Sequence, residues 1–226
     1  MPTVSEMHKL IQKKPSEHYG LLWTPTIGPL DELDFFGAPF DRPSNEFPPI
    51  HFTDFDRSVL NGTLSQVINP KLVVEIGVDK SESFDKSSTG CILHWKPSTC
   101  TYIGIDINRK AYLTDMENRV YTLQNDSKEY DKLYAVMVEL ALEQIDFMFI
   151  DGWHSINQVL AEWKYWERII PEGIMAFHDI NYHPGPIAVL EAADPKIFDV
   201  TYFGRDKLLD WGIGVVKRKA QGVTLI

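Results

Sequence analysis

Cysteine is scarce in this sequence: Cys91 and Cys100 are the only two in 226 residues. That is too few for a disulfide framework or a cysteine-rich zinc site, and two free thiols in a reducing compartment are expected. Long apolar runs are missing, and so is a basic leader followed by an apolar core. The chain therefore reads as soluble and cytoplasmic, with no membrane partner. Positive charge is also short. The 22 Lys and Arg face 32 Asp and Glu, a net charge of −10, which argues against an electrostatic grip on nucleic acid. Neither an internal repeat nor a low-complexity tract occurs. A Gly-x-Gly-x-x-Gly turn is absent too. The first strand-like run is followed by Gly77-Val78-Asp79-Lys80-Ser81-Glu82, which sets aside a nicotinamide-dependent dehydrogenase.

What is present fits one domain with an appended arm. Thr24 to Pro49 is rich in Pro, Gly, Asp and Phe without periodicity. It reads as an irregular arm whose Phe35, Phe36, Phe40 and Phe47 dock on the rest of the chain or on a second copy. Residues 1–53 are accordingly expected to be a lid or oligomerisation segment, and 54–226 the domain proper. A helix is predicted over Asp54–Ile68, burying Phe55, Val59, Leu60, Leu64, Val67 and Ile68, and stopped by Asn69-Pro70. Five apolar, β-branched runs follow: 72–77, 102–106, 120–123, 145–150 and 174–177. Helices are predicted between them, most clearly over 131–144 and 155–170, the latter with Val159, Trp163, Trp166 and Ile170 at helical spacing. Two further runs, 198–203 and 212–216, have no helix between them and predict an antiparallel hairpin. The expected fold is α/β: a doubly wound, mostly parallel, seven-stranded Rossmann-like sheet closed by that hairpin.

Ligands of an open parallel sheet bind beyond the carboxyl ends of its strands. Each of the five runs delivers an acid there: Glu75, Asp106, Asp126, Asp151 and Asp179. Asp106, at the end of the second strand, suits the two hydroxyls of a ribose. Asp126 and Ser127, beside it, either meet an adenine edge or cap the next helix. Asp151 and Asp179 come from adjacent strands and converge, and two convergent carboxylates need a cation or a proton between them. Oxygen ligands suit Mg²⁺ or another hard divalent ion. His154, three residues after Asp151, projects over the same mouth and either removes a proton from a hydroxyl or caps the helix behind it. Zinc through His178 and His183 has no supporting spacing. Trp153 either stacks on an acceptor or packs at the helix start.

Val74-Glu75-Ile76-Gly77-Val78, Tyr102-Ile103-Gly104-Ile105-Asp106, Phe149-Ile150-Asp151-Gly152-Trp153-His154-Ser155 and Phe177-His178-Asp179 resemble, in order, the motifs of class I S-adenosylmethionine-dependent methyltransferases. The resemblance extends from Leu72 to Lys217. It is nearest to metal-dependent sugar O-methyltransferases of the mycinamicin and macrocin type and to cephalosporin hydroxylase-like proteins. It implies Asp151 and Asp179 as Mg²⁺ ligands, His154 as general base, and Glu75 on the metal or at the methionine end of S-adenosylmethionine. It also implies Gly77, and Gly90 at a helix start, as cofactor contacts. Asp151 would then serve cofactor and metal alike. Two departures stand out. The glycine-rich loop is stretched into Asp79–Gly90 with few glycines, and Ile180 follows Asp179 where many relatives carry an acid or Asn. The implied activity is O-methylation of a sugar or a glycosylated natural product. The alternatives are N-methylation or hydroxylase-like chemistry on the same fold, and a non-catalytic binding module. The Thr24–Pro49 arm and the Tyr182–Pro186 loop are expected to shape the acceptor pocket, and a homo-oligomer fits the arm.

Overall fold

In the computed structural model, residues 11–26, 51–79, 83–207 and 209–220 are described. The arm's four phenylalanines and most of the stretched loop's start lie outside them. Residues 12–15 and 23–26, of which only Thr24–Thr26 fall in the stretch expected to be irregular, pair as an antiparallel hairpin, β1 (Gln12–Pro15) and β2 (Trp23–Thr26).

The main sheet has seven strands: β3 (Leu72–Ile76), β4 (Thr101–Asp106), β5 (Val120–Gln124), β6 (Ile145–Ile150), β7 (Ile169–His178), β8 (Phe198–Phe203) and β9 (Ile213–Arg218). Their order is β5-β4-β3-β6-β7-β9-β8, parallel from β5 to β7 and antiparallel at β7–β9 and β9–β8. This is the sheet expected from the sequence, hairpin included. Every residue of β3, β4 and β6 is buried, as strands covered on both faces require. Alternate side chains feed two cores. Val74, Ile76, Ile103, Ile105, Met148 and Ile150 face one, and Val73, Tyr102, Phe147, Phe149, Ile174 and Ala176 the other.

Helices cover the faces: α1 (Asp54–Leu64), α2 (Ser88–Trp95), α3 (Tyr130–Glu139), α4 (Ile156–Trp163) and α5 (Pro184–Ala192). Three differ from expectation. α1 stops at Leu64 with Ser65 as its C-cap, four residues before the predicted end, and Ile68 is exposed. α3 ends at Glu139, where Leu140 caps it. The helix expected to run to Ile170 ends at Trp163, tightens into a 3₁₀ turn at Lys164–Glu167, and β7 starts at Ile169. The aromatic spacing continued through the turn because Trp163 and Trp166 are both fully buried. The loop expected at Tyr182–Pro186 instead starts α5, whose Pro184 stands at the first turn, where proline's fixed φ is helical and its missing N–H costs nothing.

The hairpin segment packs against α4 and α5. Leu22 N–H donates to Ala192 O, Asp194 N–H to Gly20 O, and the Trp163 indole to Tyr19 O. Cys91 and Cys100 are free and buried; burial pushes the Cys100 thiol up to about 11. Among the described residues, no helix is long and apolar enough to cross a membrane.

Candidate active site

Beyond the carboxyl ends of β3, β4 and β5 lies a cavity of about 400 Å³. Gly77, Asp106, Asp126, Ser127, Gly152 and Trp153 line it, with Ile107, Asn108, Lys110, Asn125 and Gln158 completing the wall. Gly77 sits at φ +80°, the left-handed conformation glycine adopts without strain, and turns the chain out of β3 beneath the cavity floor. Asp106 is nearly buried. Its Oδ2 accepts the Val78 N–H at 3.0 Å, its Oδ1 the Asn108 N–H at 2.7 Å, and Lys110 Nζ stands 4.0 Å away. A carboxylate has about four lone-pair sites, so two remain for hydroxyls offered from the cavity. Ile107 is exposed at the wall and presents an apolar surface there.

At the far wall, Ser127 Oγ donates to Glu162 Oε1 at 2.6 Å, while Gln158 Nε2 donates to Ser127 Oγ, Asp126 Oδ1 and Glu162 Oε1. Gln158 and Glu162 come from α4, so that helix fixes the position of the β5 loop. Asp126 stays half-exposed at the rim beside Lys128. Of the two roles open to Asp126 and Ser127, helix capping has no counterpart here: α3 starts with Glu129 as its N-cap and no capping side chain.

Two expected cofactor residues stand behind the wall. Glu75 is fully buried, and its carboxylate accepts hydroxyls from Ser88 (2.5 Å), Thr89 (2.8 Å) and Tyr102. Burial pushes its carboxyl up to about 7 against those three donors, with the Asp151 charge adding to the rise. Gly90 lies in the first turn of α2 with its N–H on the Ser87 cap. A Cβ there would meet Phe84 O at 2.1 Å, so its glycine serves the packing of the preceding turn.

The turn after β6 runs from the cavity into a cluster of histidines and carboxylates. His154 Nε2 lies 2.8 Å from Asp179 Oδ2 and 3.3 Å from Asp151 Oδ1. His178 Nδ1 lies 3.1 Å from Asp179 Oδ1 and 3.5 Å from Asp151 Oδ1, so both imidazoles bridge the same two carboxylates. His183 Nε2 is 3.7 Å from Asp179 Oδ2, with its ring 4.7 Å from that of His154. α5 closes the cluster. Gly185 N–H donates to His154 O, and a Cβ at Gly185 would meet that oxygen at 2.3 Å. Asp179 takes φ +62°, uncommon for a non-glycine residue and worth about 1–3 kcal/mol of strain, which the surrounding structure holds in place.

Burial opposes the charges of the cluster and the charges overcome it. His178 is held well above the usual imidazole range by Asp179 and Asp151. Asp179, despite burial, is held well below the carboxylate range by His178 and His154. Asp151 and Asp179 thus converge as expected, and Glu75 does not join them. Among the described residues, two sets of three donors lie close enough to hold a cation: Asp151, His178 and Asp179, and His154, Asp179 and His183. Glu75 stays out because α2 and β4 engage both of its oxygens. The donors fit a divalent cation in number and charge, with nitrogen in either set.

Sequence reasoning missed Gln158, Asn108 and Asn125, which carry no motif, and it missed Asp56. The pattern Thr53-x-x-Asp56 is a capping box for α1, with Thr53 N–H donating to Asp56 Oδ2 at 2.9 Å and Asp56 N–H to Thr53 Oγ1 at 3.1 Å. Asp56 Oδ2 also lies 3.5 Å from His178 Nε2. Only folding reveals that second contact.

Residues 74–180 match a family of methyltransferase domains. No curated protein sequence matches the chain. Three solved structures are similar. MycE, a methyltransferase from the mycinamycin biosynthetic pathway in complex with Mg, SAH and mycinamycin VI, has 15% identity and a TM-score of 0.54 over 76% of this chain and 51% of its own. The O-methyltransferase TomG from Streptomyces achromogenes, involved in tomaymycin synthesis and bound to SAM, has 12% identity and a TM-score of 0.54 over 76% and 83%. An O-methyltransferase from Bacillus cereus in complex with SAH has 16% identity and a TM-score of 0.50 over 84% and 87%. The chain spans about half the length of MycE. These likenesses show the fold. Residues 74–180 thus match a methyltransferase-domain model within a sheet shared with these structures, in line with the motifs read from the sequence.

Proposed function

We propose that the protein transfers the methyl group of S-adenosylmethionine to a hydroxyl of a small acceptor, a sugar or a glycosylated natural product, with a divalent cation at Asp151 and Asp179 and His154 as general base. The observation that carries this reading is the turn Gly152–His154. Two of its residues line the cavity, and the third enters the carboxylate cluster, so cofactor and acceptor sites meet within one turn of chain. Asp106 offers its free lone pairs to the ribose, Ile107 an apolar face to the adenine, and Asp126 and Ser127 polar contacts at the adenine edge. The methionine end lies against the Gly77 turn, with Glu75 behind it holding the start of α2 through Ser88 and Thr89.

Methyl transfer needs nucleophile, methyl and sulfur in line more than it needs acid catalysis, so positioning is the main task of this chain. A bound divalent cation would gather the acceptor's hydroxyls and ease loss of a proton from one of them. The His154 imidazole accepts that proton, and the two carboxylates beside its Nε2 compensate the charge it gains. MycE, with Mg and mycinamycin VI in its complex, supports a small-molecule acceptor.

Calorimetry with S-adenosylmethionine and its demethylated product tests the cofactor, and micromolar-scale affinity is expected. Mass spectrometry of a panel of glycosides then tests the acceptor, with methyl incorporation on a hydroxyl lost after chelation and restored by a divalent ion. No heat and no thermal shift with either cofactor form would overturn the reading. Full activity after exhaustive chelation would remove the cation from it, and incorporation into RNA or into an amine would remove the acceptor class.

A further inference from the structure

We infer that the cation site of this protein is built on an imidazole: Asp151 Oδ1, Asp179 Oδ1 and His178 Nδ1 ligate the ion, Asp56 buttresses the imidazole from behind, and the ion is a first-row transition dication rather than Mg²⁺. This deepens the proposed function and rests on it only in requiring a divalent cation between Asp151 and Asp179.

The geometry is that of a metal-binding histidine with its support already in place. His178 Nδ1 faces both carboxylates, at 3.1 and 3.5 Å, and the three donor atoms lie within 4.8 Å of one another. The far nitrogen, Nε2, faces Asp56 Oδ2 at 3.5 Å, and both residues are buried. A ligating histidine commonly gives its other N–H to a carboxylate, which fixes the tautomer, aims the free nitrogen at the ion and makes it more basic. Asp56 is itself held: Oδ2 accepts the Thr53 N–H at 2.9 Å and the Thr53 hydroxyl at 2.7 Å. The ring cannot easily swing away, because the aromatic rings of Phe52 and Phe149 stand 5.4 and 6.1 Å from it. His178 is the last residue of β7, so the imidazole stands on a central strand and not on a mobile loop.

Donor type then selects the ion. Mg²⁺ demands near-ideal octahedral oxygen coordination and keeps several waters. An imidazole nitrogen suits the first-row dications, with affinity rising from Mn²⁺ to Cu²⁺ and falling back at Zn²⁺. A buried site that spends one of its three protein ligands on nitrogen therefore discriminates against Mg²⁺. It also leaves His154, on the other side of Asp179, for proton transfer.

The full chain, stripped with chelator, is loaded with Mn²⁺ and its bound-ion electron spin-echo modulation is recorded, alongside calorimetric titrations with Mn²⁺, Co²⁺ and Mg²⁺. One nitrogen coupling is expected, together with Mn²⁺ and Co²⁺ binding at least about tenfold tighter than Mg²⁺. His178→Glu should abolish the nitrogen coupling and narrow the preference over Mg²⁺. Asp56→Asn should keep the coupling but weaken Co²⁺ binding about ten- to hundredfold. His183→Ala should leave the coupling intact. Wild-type Mn²⁺ without nitrogen coupling overturns the inference whether or not any variant folds, and so does a coupling lost in His183→Ala but kept in His178→Glu. S-adenosylhomocysteine binding, measured on the same samples, separates the two readings. Retained cofactor binding with no nitrogen on the metal sinks this inference alone, whereas absent cofactor binding sinks the function it builds on.

Discussion

At the scale of single residues, Asp106 shows how one carboxylate serves the fold and the ligand together. Its oxygens hold the Val78 and Asn108 amides, and its remaining lone pairs face the cavity. Asp106→Asn keeps the shape but gives up the charge. It should weaken S-adenosylhomocysteine binding about ten- to hundredfold, the worth of charge-assisted hydrogen bonds, as read by calorimetry. Unchanged affinity would return Asp106 to a purely structural role. His154→Ala should lower turnover about a hundredfold or more while leaving cofactor affinity near wild type, since His154 lies outside the cavity wall. A near-normal rate would make it a packing residue under α5. The positions of Asp106, Asp151 and Asp179 were legible in the sequence because parallel strands end where ligands bind. The seclusion of Glu75 was not. It depends on hydroxyls from Ser88, Thr89 and Tyr102, brought in by two other elements. Nor was the link from Asp56 to His178, since the Thr53–Asp56 cap already accounts for an acid at that position.

At the scale of elements, strands were read more faithfully than helices, for a physical reason. A strand buried on both faces is apolar over most of its length, so β6 begins and ends where the sequence places it. Helix ends depend on caps and 3₁₀ turns, which leave apolar periodicity intact; hence the misread end of α4. Some strand positions carry structure alone. Asp146, at the opposite end of β6 from the site, accepts the Lys71 and Leu72 amides at 2.9 and 2.8 Å and seats the start of β3. Asp146→Ala should cost about 1.5–3 kcal/mol in urea denaturation, the value of hydrogen bonds to a charged group. Cofactor affinity should not change, because that clamp and the cavity lie at opposite strand ends. A loss below about 0.5 kcal/mol would mean the start of β3 is seated by packing alone. α1 offers a second contrast. Thr53→Ala should cost about 1 kcal/mol through the lost cap. It should also loosen any ion held at His178, since the Thr53 hydroxyl and amide together fix Asp56.

At the scale of the whole molecule, the stability of the fold is tied to one proton. Glu75 sits in an interior strand of the sheet, β3, with its carboxyl pushed up to about 7 by burial, from a value of 4.5 when free. The folded protein keeps a proton there that the unfolded chain gives up. The stabilisation is therefore fully present below about pH 4.5 and is lost as pH rises through about 7. The difference corresponds to roughly 3 kcal/mol, a large share of the stability of a domain this size. Glu75→Gln mimics the protonated side chain at every pH, and the hydroxyls of Ser88, Thr89 and Tyr102 can turn to meet its amide. Denaturant unfolding of both proteins at pH 5 and pH 8 isolates the effect, because all other titrating groups are shared. Between those pH values the wild type should lose about 3 kcal/mol relative to Glu75→Gln, so that the variant gains ground as the solution becomes basic. Parallel stability profiles would show that Glu75 is already ionised at pH 5. Its three hydroxyl donors would then outweigh its burial, and the sheet would carry a buried charge at its centre throughout the neutral range.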